Sequence, residues 1–322
     1  MKKPSERILS IATDAMAARD RIHKLIQKTP CIPSRGAKTQ GLIYKCENFQ
    51  TTGSFKLRGA TSKLTSVPVE TPIITASSGN HGIACSHAAQ ESGHNISIVL
   101  PENVAKAKLS VIENNGAKPI LFSNDCGLAE RHARSRAEQD EYVYVSPYND
   151  ETVVAGQGTI ALELIEQLPR MDRVYVSMGG GGLISGIGSV LKSFLPETEV
   201  VGVATSNSAA LAASMEAGKV VDIEHHPTLA DGCAGAMDHD SITFPLACEV
   251  VDRVISCSEE QIADALHYLA WTENMLVEGA AAVALAAYLA DPEVREGEIN
   301  VVLLCGANFD QSMLQPIVAR VN

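Results

Sequence analysis

The chain has 322 residues, 45% apolar and 20% charged, which supplies a full core and excludes disorder as the main state. The formal net charge is −12, a poor match to phosphate backbones, whose affinity for proteins comes from Lys and Arg. No stretch approaches the ~18 uninterrupted apolar residues of a membrane span, and the opening MKKPSER has no apolar segment behind it, so the expectation is a cytoplasmic protein without a secretory leader.

In chain order, short β-branched runs predict strands at 72–76 (PIITA), 96–100 (ISIVL), 118–122 (KPILF), 142–145, 173–177 (RVYVS), 199–204 (EVVGVA) and 300–304 (NVVLL). Ala- and Leu-rich stretches between them predict helices at 82–91, 104–115, 128–139 and 159–167. This alternation predicts an α/β fold with parallel sheets covered on both faces. It breaks at 50–59 and at the loop-rich 220–243. The breaks suggest a discontinuous domain of 1–71 and 142–322, with residues 72–141 inserted as a smaller one. The eight cysteines are scattered without a CxxC and the nine histidines show no HExxH. Reduced, mostly buried thiols and no metal site follow.

In such folds ligands gather where strands end and helices begin, and three loops there carry chemistry. The first is TTGSFKLRGA. Lys56 lies just inside a helix start, with glycines on both sides and Phe55 as an apolar neighbour. A cation is disfavoured at a helix N-terminus, and in a dry pocket its pKa falls until it can act as nucleophile or base. The ordinary alternative is a surface lysine. The second loop is Ser77-Ser78-Gly79-Asn80-His81-Gly82, directly after the strand PIITA. Small hydroxyls and glycines there expose backbone N–H groups to a carboxylate or phosphate, although a capped turn has a similar composition. The third is Gly179-Gly180-Gly181-Gly182-Leu183, which follows RVYVS and opens a helix. It lacks the GK[ST] of a P-loop. No acidic residue follows the next strand as a dinucleotide fold requires. A phosphate cup for a mononucleotide-sized cofactor fits better.

These loops, in this order and spacing, resemble the pyridoxal-phosphate-dependent serine/threonine dehydratase and serine racemase family, the fold-type-II or tryptophan-synthase-β-like group. AGQGT at 155–159, LADG at 229–232, VEGAAA at 277–282 and LCGAN at 304–308 extend the resemblance over nearly the whole chain. It implies a two-domain α/β enzyme with pyridoxal 5′-phosphate on Lys56 as a Schiff base. Phe55 would lie beside the pyridine ring and Asn80 on its phenolic oxygen. Gly179, Gly180, Gly181, Gly182 and Leu183 would hold the phosphate. Cys305 would stand near the pyridine nitrogen. Ser77, Ser78, Gly79 and His81 would bind the substrate carboxylate.

The implied reaction is loss of water from a β-hydroxy amino acid, with L-threonine and L-serine the default substrates, giving a 2-oxo acid and ammonia. Lys56 would take the α-proton. A neutral Cys305 would leave the ring nitrogen unprotonated, which makes a weaker electron sink and disfavours transamination. Ser78 matches the second acid/base of the family's racemases, so racemisation is the alternative, and hydroxyaspartate or an aryl-serine is the specialised-substrate alternative. A sensor on this fold would have no need of Lys56. A nucleotide-dependent oxidoreductase is the remaining outsider. Metal-dependent members carry carboxylates where this chain has Ala204, Ser208 and Ala210, so no divalent-cation site is expected. Tyr148 occupies a position that is often Phe in dehydratases and Asn in racemases. The chain ends at Asn322, without room for a C-terminal regulatory domain, so a degradative role is expected, and the resemblance implies a homodimer.

Overall fold

The computed structural model describes residues 3–36, 39–124, 126–139 and 142–320. Of the expected domain limits, 1, 141 and 322 fall outside them. The strands are β1 (Cys31–Pro33), β2 (Leu42–Cys46), β3 (Ile73–Ala76), β4 (Ile96–Leu100), β5 (Lys118–Leu121), β6 (Val143–Tyr144), β7 (Arg173–Ser177), β8 (Glu199–Thr205), β9 (Arg253–Cys257) and β10 (Asn300–Leu304). They form a six-stranded sheet in the order β1-β2-β10-β7-β8-β9 and a four-stranded sheet in the order β5-β4-β3-β6. β1 pairs antiparallel with β2, and the remaining pairs are parallel.

The helices are α1 (Glu6–Ile22), α2 (Lys56–Leu64), α3 (Asn80–Ser92), α4 (Lys106–Asn114), α5 (Cys126–Gln139), α6 (Glu151–Gln167), α7 (Gly182–Phe194), α8 (Ala210–Ala217), α9 (Thr243–Val250), α10 (Glu259–Trp271), α11 (Gly279–Ala290) and α12 (Gln311–Val318). The apolar α11 packs across β7, β8, β9 and β10, while α1, α6 and α7 pack on one another. In the smaller sheet, side chains alternate between faces with the strand period of two. Ile73 joins the core with Ala84 and Ala88 of α3, and Ile74 joins Ala129 and Ala133 of α5. Both faces are therefore covered, as the continuous apolar runs predict.

Three differences from the sequence expectations have local causes. The helix expected at 159–167 begins at Glu151, because the Asp150 carboxylate caps it by accepting from the Thr152 and Val153 N–H groups. Strands β1, β2 and β9 lie in segments without an alternating pattern. The expected strand at 142–145 shortens to Val143–Tyr144. Cys46, Cys85, Cys233, Cys257 and Cys305 are buried free thiols, and Cys248 is exposed. Among the described residues no helix is long and apolar enough to cross a membrane.

Candidate active site

The carboxyl ends of β3, β7 and β10 lead into the three segments where the chemistry-bearing residues gather. The loop before α2 is laced to the exit of β10. Phe55 N–H donates to the Cys305 carbonyl at 3.0 Å, and Ala307 N–H donates to the Gly53 carbonyl at 2.8 Å. Gly53 makes the turn with φ +72°, a conformation few side chains tolerate. Lys56 is thereby set as the first residue of α2, beside Cys305. Its ammonium donates to the Pro147 carbonyl at 2.9 Å and lies 5.1 Å from the centre of the Phe55 ring. The residue as a whole is half-buried, but protein surrounds the ammonium closely. Burial lowers its pKa to about 8, against the opposing pull of Cys85, Cys305, Cys233 and Glu278.

After β3 the chain turns through Ser77, Ser78 and Gly79 into α3, all half-exposed. Ser77 Oγ accepts from Gly79 N–H at 3.2 Å. Gly82 lets α3 start against this turn, since a Cβ there would stand 1.9 Å from the Ser77 carbonyl oxygen. Asn80 Nδ2 donates to Glu278 Oε1 and Oε2 at 2.9 and 3.0 Å, and its Oδ1 accepts from Asn308 Nδ2 at 2.7 Å. His81 is turned the other way. Its Nε2 lies 3.0 Å from both Thr75 Oγ1 and the Val145 carbonyl, and burial lowers its pKa to about 3, with the Lys56 charge adding to the effect. The imidazole is thus neutral and faces the sheet, not the cleft.

The glycine segment follows β7 and ends in α7. Gly181 has φ +85°, and a Cβ on Gly180 would meet the Tyr148 ring at 2.5 Å. A Cβ on Gly179 would meet the Cys233 backbone at 3.1 Å, and one on Gly182 would meet Tyr148 at 3.0 Å. Leu183 is buried in the first turn of α7. Tyr148 is held over the glycines because its hydroxyl accepts from Asp238 N–H at 2.9 Å. Cys305 is buried at the end of β10, and burial, reinforced by Glu278 and Cys233, pushes its thiol well above its ordinary pKa. It is a neutral thiol.

The site residue that sequence reasoning missed is Glu278. It is buried just before α11 and also accepts from Asn308 N–H at 3.1 Å. Burial raises its pKa to about 7, against the Asn80 hydrogen bond and with Asp231 adding to the rise. The VEGAAA match contained it, but a lone acid before an Ala-rich helix carries no local signal of burial. Ser208 Oγ pairs with His225 Nδ1 at 2.7 Å. Among the described residues no group of three or more His, Cys, Asp or Glu side chains could hold a metal ion.

A lysine whose pKa burial lowers to about 8, a run of glycines at a helix start and a buried neutral thiol mark these strand ends. The family model described as pyridoxal-phosphate-dependent enzyme matches residues 22–306. The chain belongs to this family. It is 40% identical over 286 residues to an L-threonine ammonia-lyase of Thermotoga maritima, covering 88% of this chain and 71% of that protein. It is 33% identical over 308 residues to a serine racemase of Arabidopsis thaliana, covering 92% of each. Its structure matches the processed form of threonine deaminase isoform 2 from Solanum lycopersicum with a TM-score of 0.92 at 27% identity, over 99% of this chain and 95% of that one. The fold is the α/β fold of these fold-type-II enzymes, and the cofactor is pyridoxal phosphate. The residues present fit it. Lys56 offers an amine, the glycine-rich start of α7 exposes N–H groups suited to an anion, and the buried Ser54 hydroxyl beside Lys56 has no partner among the described residues.

Proposed function

We propose that this chain is an ammonia-lyase that converts a small β-hydroxy amino acid, of the L-threonine/L-serine class, to a 2-oxo acid and ammonia. The observation that carries this reading is the Lys56 amine, whose pKa burial lowers to about 8, held on the Pro147 carbonyl next to Tyr148, the residue against which Gly180 and Gly182 pack. The ammonia-lyase similarity over most of the chain supports the same reading.

In this proposal Lys56 carries the cofactor. Phe55 would lie beside the ring and Cys305 by its nitrogen, the N–H groups of Gly179, Gly180, Gly181, Gly182 and Leu183 would take the phosphate, and Asn80 would serve the phenolic oxygen once its amide turns from Glu278. Bound there, the cofactor supplies an electron sink for a bond broken at Cα. Ser77, Ser78 and Gly79, at the N-terminus of α3, take the substrate carboxylate. His81 contributes through its main chain, since its imidazole is committed to Thr75 and Val145. Displaced from the cofactor by the substrate amine, Lys56 would be free to accept the Cα proton, a task suited to a base whose pKa is lowered toward neutrality. The neutral Cys305 thiol gives the ring nitrogen no proton, which favours elimination over transamination. The same reading makes the enzyme a cytoplasmic homodimer. It also makes the segment 72–141, with the strand that ends at Tyr144, a smaller domain beside the cofactor domain.

A racemase is the second reading. Among the described residues the Ser78 hydroxyl has no hydrogen-bond partner, so it is available as an acid/base on the substrate. The test is product analysis after incubation with L-threonine, L-serine and L-threo-3-hydroxyaspartate, with Lys56→Ala as control. The expected outcome is Lys56-dependent 2-oxo acid from L-threonine or L-serine. D-isomer accumulating faster than 2-oxo acid would replace the lyase with a racemase. Preference for hydroxyaspartate would change the substrate class.

A further inference from the structure

The first turn of α2 carries Lys56 on one side and Arg58 on the other, because two residues of helix rotate the side chain by about 200°. Lys56 faces the cleft. Arg58 is fully buried between α6 and Glu47 of the turn after β2. Its Nε and Nη2 donate to Glu47 Oε2 and Oε1, each at 2.8 Å. Its Nη1 and Nη2 donate to Glu163 Oε1 and Oε2 at 2.7 and 2.9 Å. The remaining Nη1 proton reaches Thr159 Oγ1 at 3.2 Å. All five donors of the guanidinium are therefore engaged, in two forks whose orientation the planar group cannot relax. Lys45, also fully buried, balances the second carboxylate by donating to Glu163 Oε2 at 2.5 Å.

The backbone adds to this grip. A Cβ on Gly156 would stand 2.7 Å from the Arg58 carbonyl oxygen, and one on Gly59 would stand 2.3 Å from Gln157 Nε2. The α2 helix is thus seated directly on α6. A buried cluster of two cations and two carboxylates is a poor source of stability, because desolvation offsets the attraction and apolar replacements often do as well. What it provides is a fixed position. Here the fixed element is the helix turn that aims the reactive amine.

We propose that Arg58, held in two forks by Glu47 and Glu163, is a positioning residue that sets where the Lys56 amine stands in the cleft. The proposal rests on the reading of Lys56 as the cofactor-bearing lysine. Arg58→Lys keeps the charge but replaces the double fork with a single point donor. In the pyridoxal-phosphate-loaded enzyme, kcat with L-threonine is expected to fall about ten- to a hundredfold, the scale of a misplaced reacting group, with KM within about threefold. The pH midpoint of the visible absorbance band of the bound cofactor is expected to shift. That midpoint reports the surroundings of the Lys56 nitrogen and needs no turnover.

If Arg58→Lys does not fold, the paired change Lys45→Met with Glu163→Gln carries the test. It keeps the cluster neutral and removes one charged fork, and it is expected to move the same midpoint and lower kcat. Arg253→Lys serves as a stability control. Arg253 is paired with Glu199 and Asp291 at the start of β9, away from the carboxyl ends of the strands. Wild-type kcat and midpoint in the cluster variants would overturn the proposal, as would equal losses in the control at equal thermal stability. Lys56→Ala separates the two readings. If it abolishes the band while the cluster variants leave the midpoint unmoved, only the Arg58 proposal falls. If it retains the band, both fall.

Discussion

Replacing Glu278 by Gln removes one buried carboxylate and leaves the shape of the side chain. In the folded chain the carboxyl holds its proton until about pH 7, against an ordinary value of 4.5, because burial penalises the charge more than Asn80 and the Asn308 N–H relieve it. Between those two values the folded state binds more protons than the unfolded state. The contribution of Glu278 to stability is therefore complete below pH 4.5 and is lost as pH rises through 7. Each tenfold change in proton affinity is worth about 1.36 kcal/mol, so the loss between pH 5 and pH 8 is ~2.5 kcal/mol. Gln does not titrate. It does set an amide N–H against Asn80 Nδ2, which costs about 1–3 kcal/mol at either pH. Cofactor-free wild type and Glu278→Gln would be unfolded with urea at pH 5 and pH 8. The variant is expected to gain ~2.5 kcal/mol on wild type between the two conditions. The effect of His81 on acid stability is common to both proteins and cancels. Stability differences equal at the two pH values would show that Glu278 is ionised normally, and the description of its environment would be wrong.

Three further outcomes follow from the α3 turn. Gly82→Ala forces a Cβ to within 1.9 Å of the Ser77 carbonyl oxygen. It should cost about 1–3 kcal/mol and lower kcat/KM about tenfold or more by displacing the substrate loop; Gly79→Ala, whose Cβ meets only Ser77 Oγ at 3.9 Å, should leave thermal stability unchanged while weakening substrate binding. His81, with its pKa lowered from 6.5 to about 3, leaves the folded state with fewer protons than the unfolded one. The stability it contributes is full above pH 6.5 and declines as pH falls toward 3. Denaturant unfolding of His81→Gln between pH 6 and pH 4 should show a shallower acid decline than wild type, and an identical slope would refute the assignment.

The parts of the fold legible in the sequence are those whose signal is local. β4, β7 and β10 are buried along their whole length, and each holds at least three consecutive apolar residues (IVL, VYV and VVLL). The three loops read equally well, because glycine and small hydroxyls at a strand's end answer a local backbone requirement. β2 is different. Its LIYKC contains Lys45, which reads as a surface residue until Glu163 of α6 is brought against it. β9 opens on Arg253, whose partners are Glu199 and Asp291. β7 opens likewise on Arg173, paired with Glu199 and Glu298, but three apolar residues follow it where β9 has only Val254 and Ile255 before Ser256.

The same distinction runs through the site. Lys56 is legible because the helix start and Phe55 are its sequence neighbours. Glu278 is not, because the groups that bury and bind it, Asn80 and Asn308, arrive from other strands' ends. His81 shows the reverse error of proximity. It follows Asn80 directly, yet one residue of helix rotates its side chain by about 100° and delivers it to Thr75 and Val145 instead of the cleft. The glycine segment is legible as space for an anion, but half of its reason lies elsewhere. Gly180 and Gly182 also make room for Tyr148, and Gly179 for the Cys233 backbone. A side chain at Gly180 would displace the aromatic ring before it reached any phosphate. The glycines therefore answer two demands, and only the anion-binding one is visible without the fold.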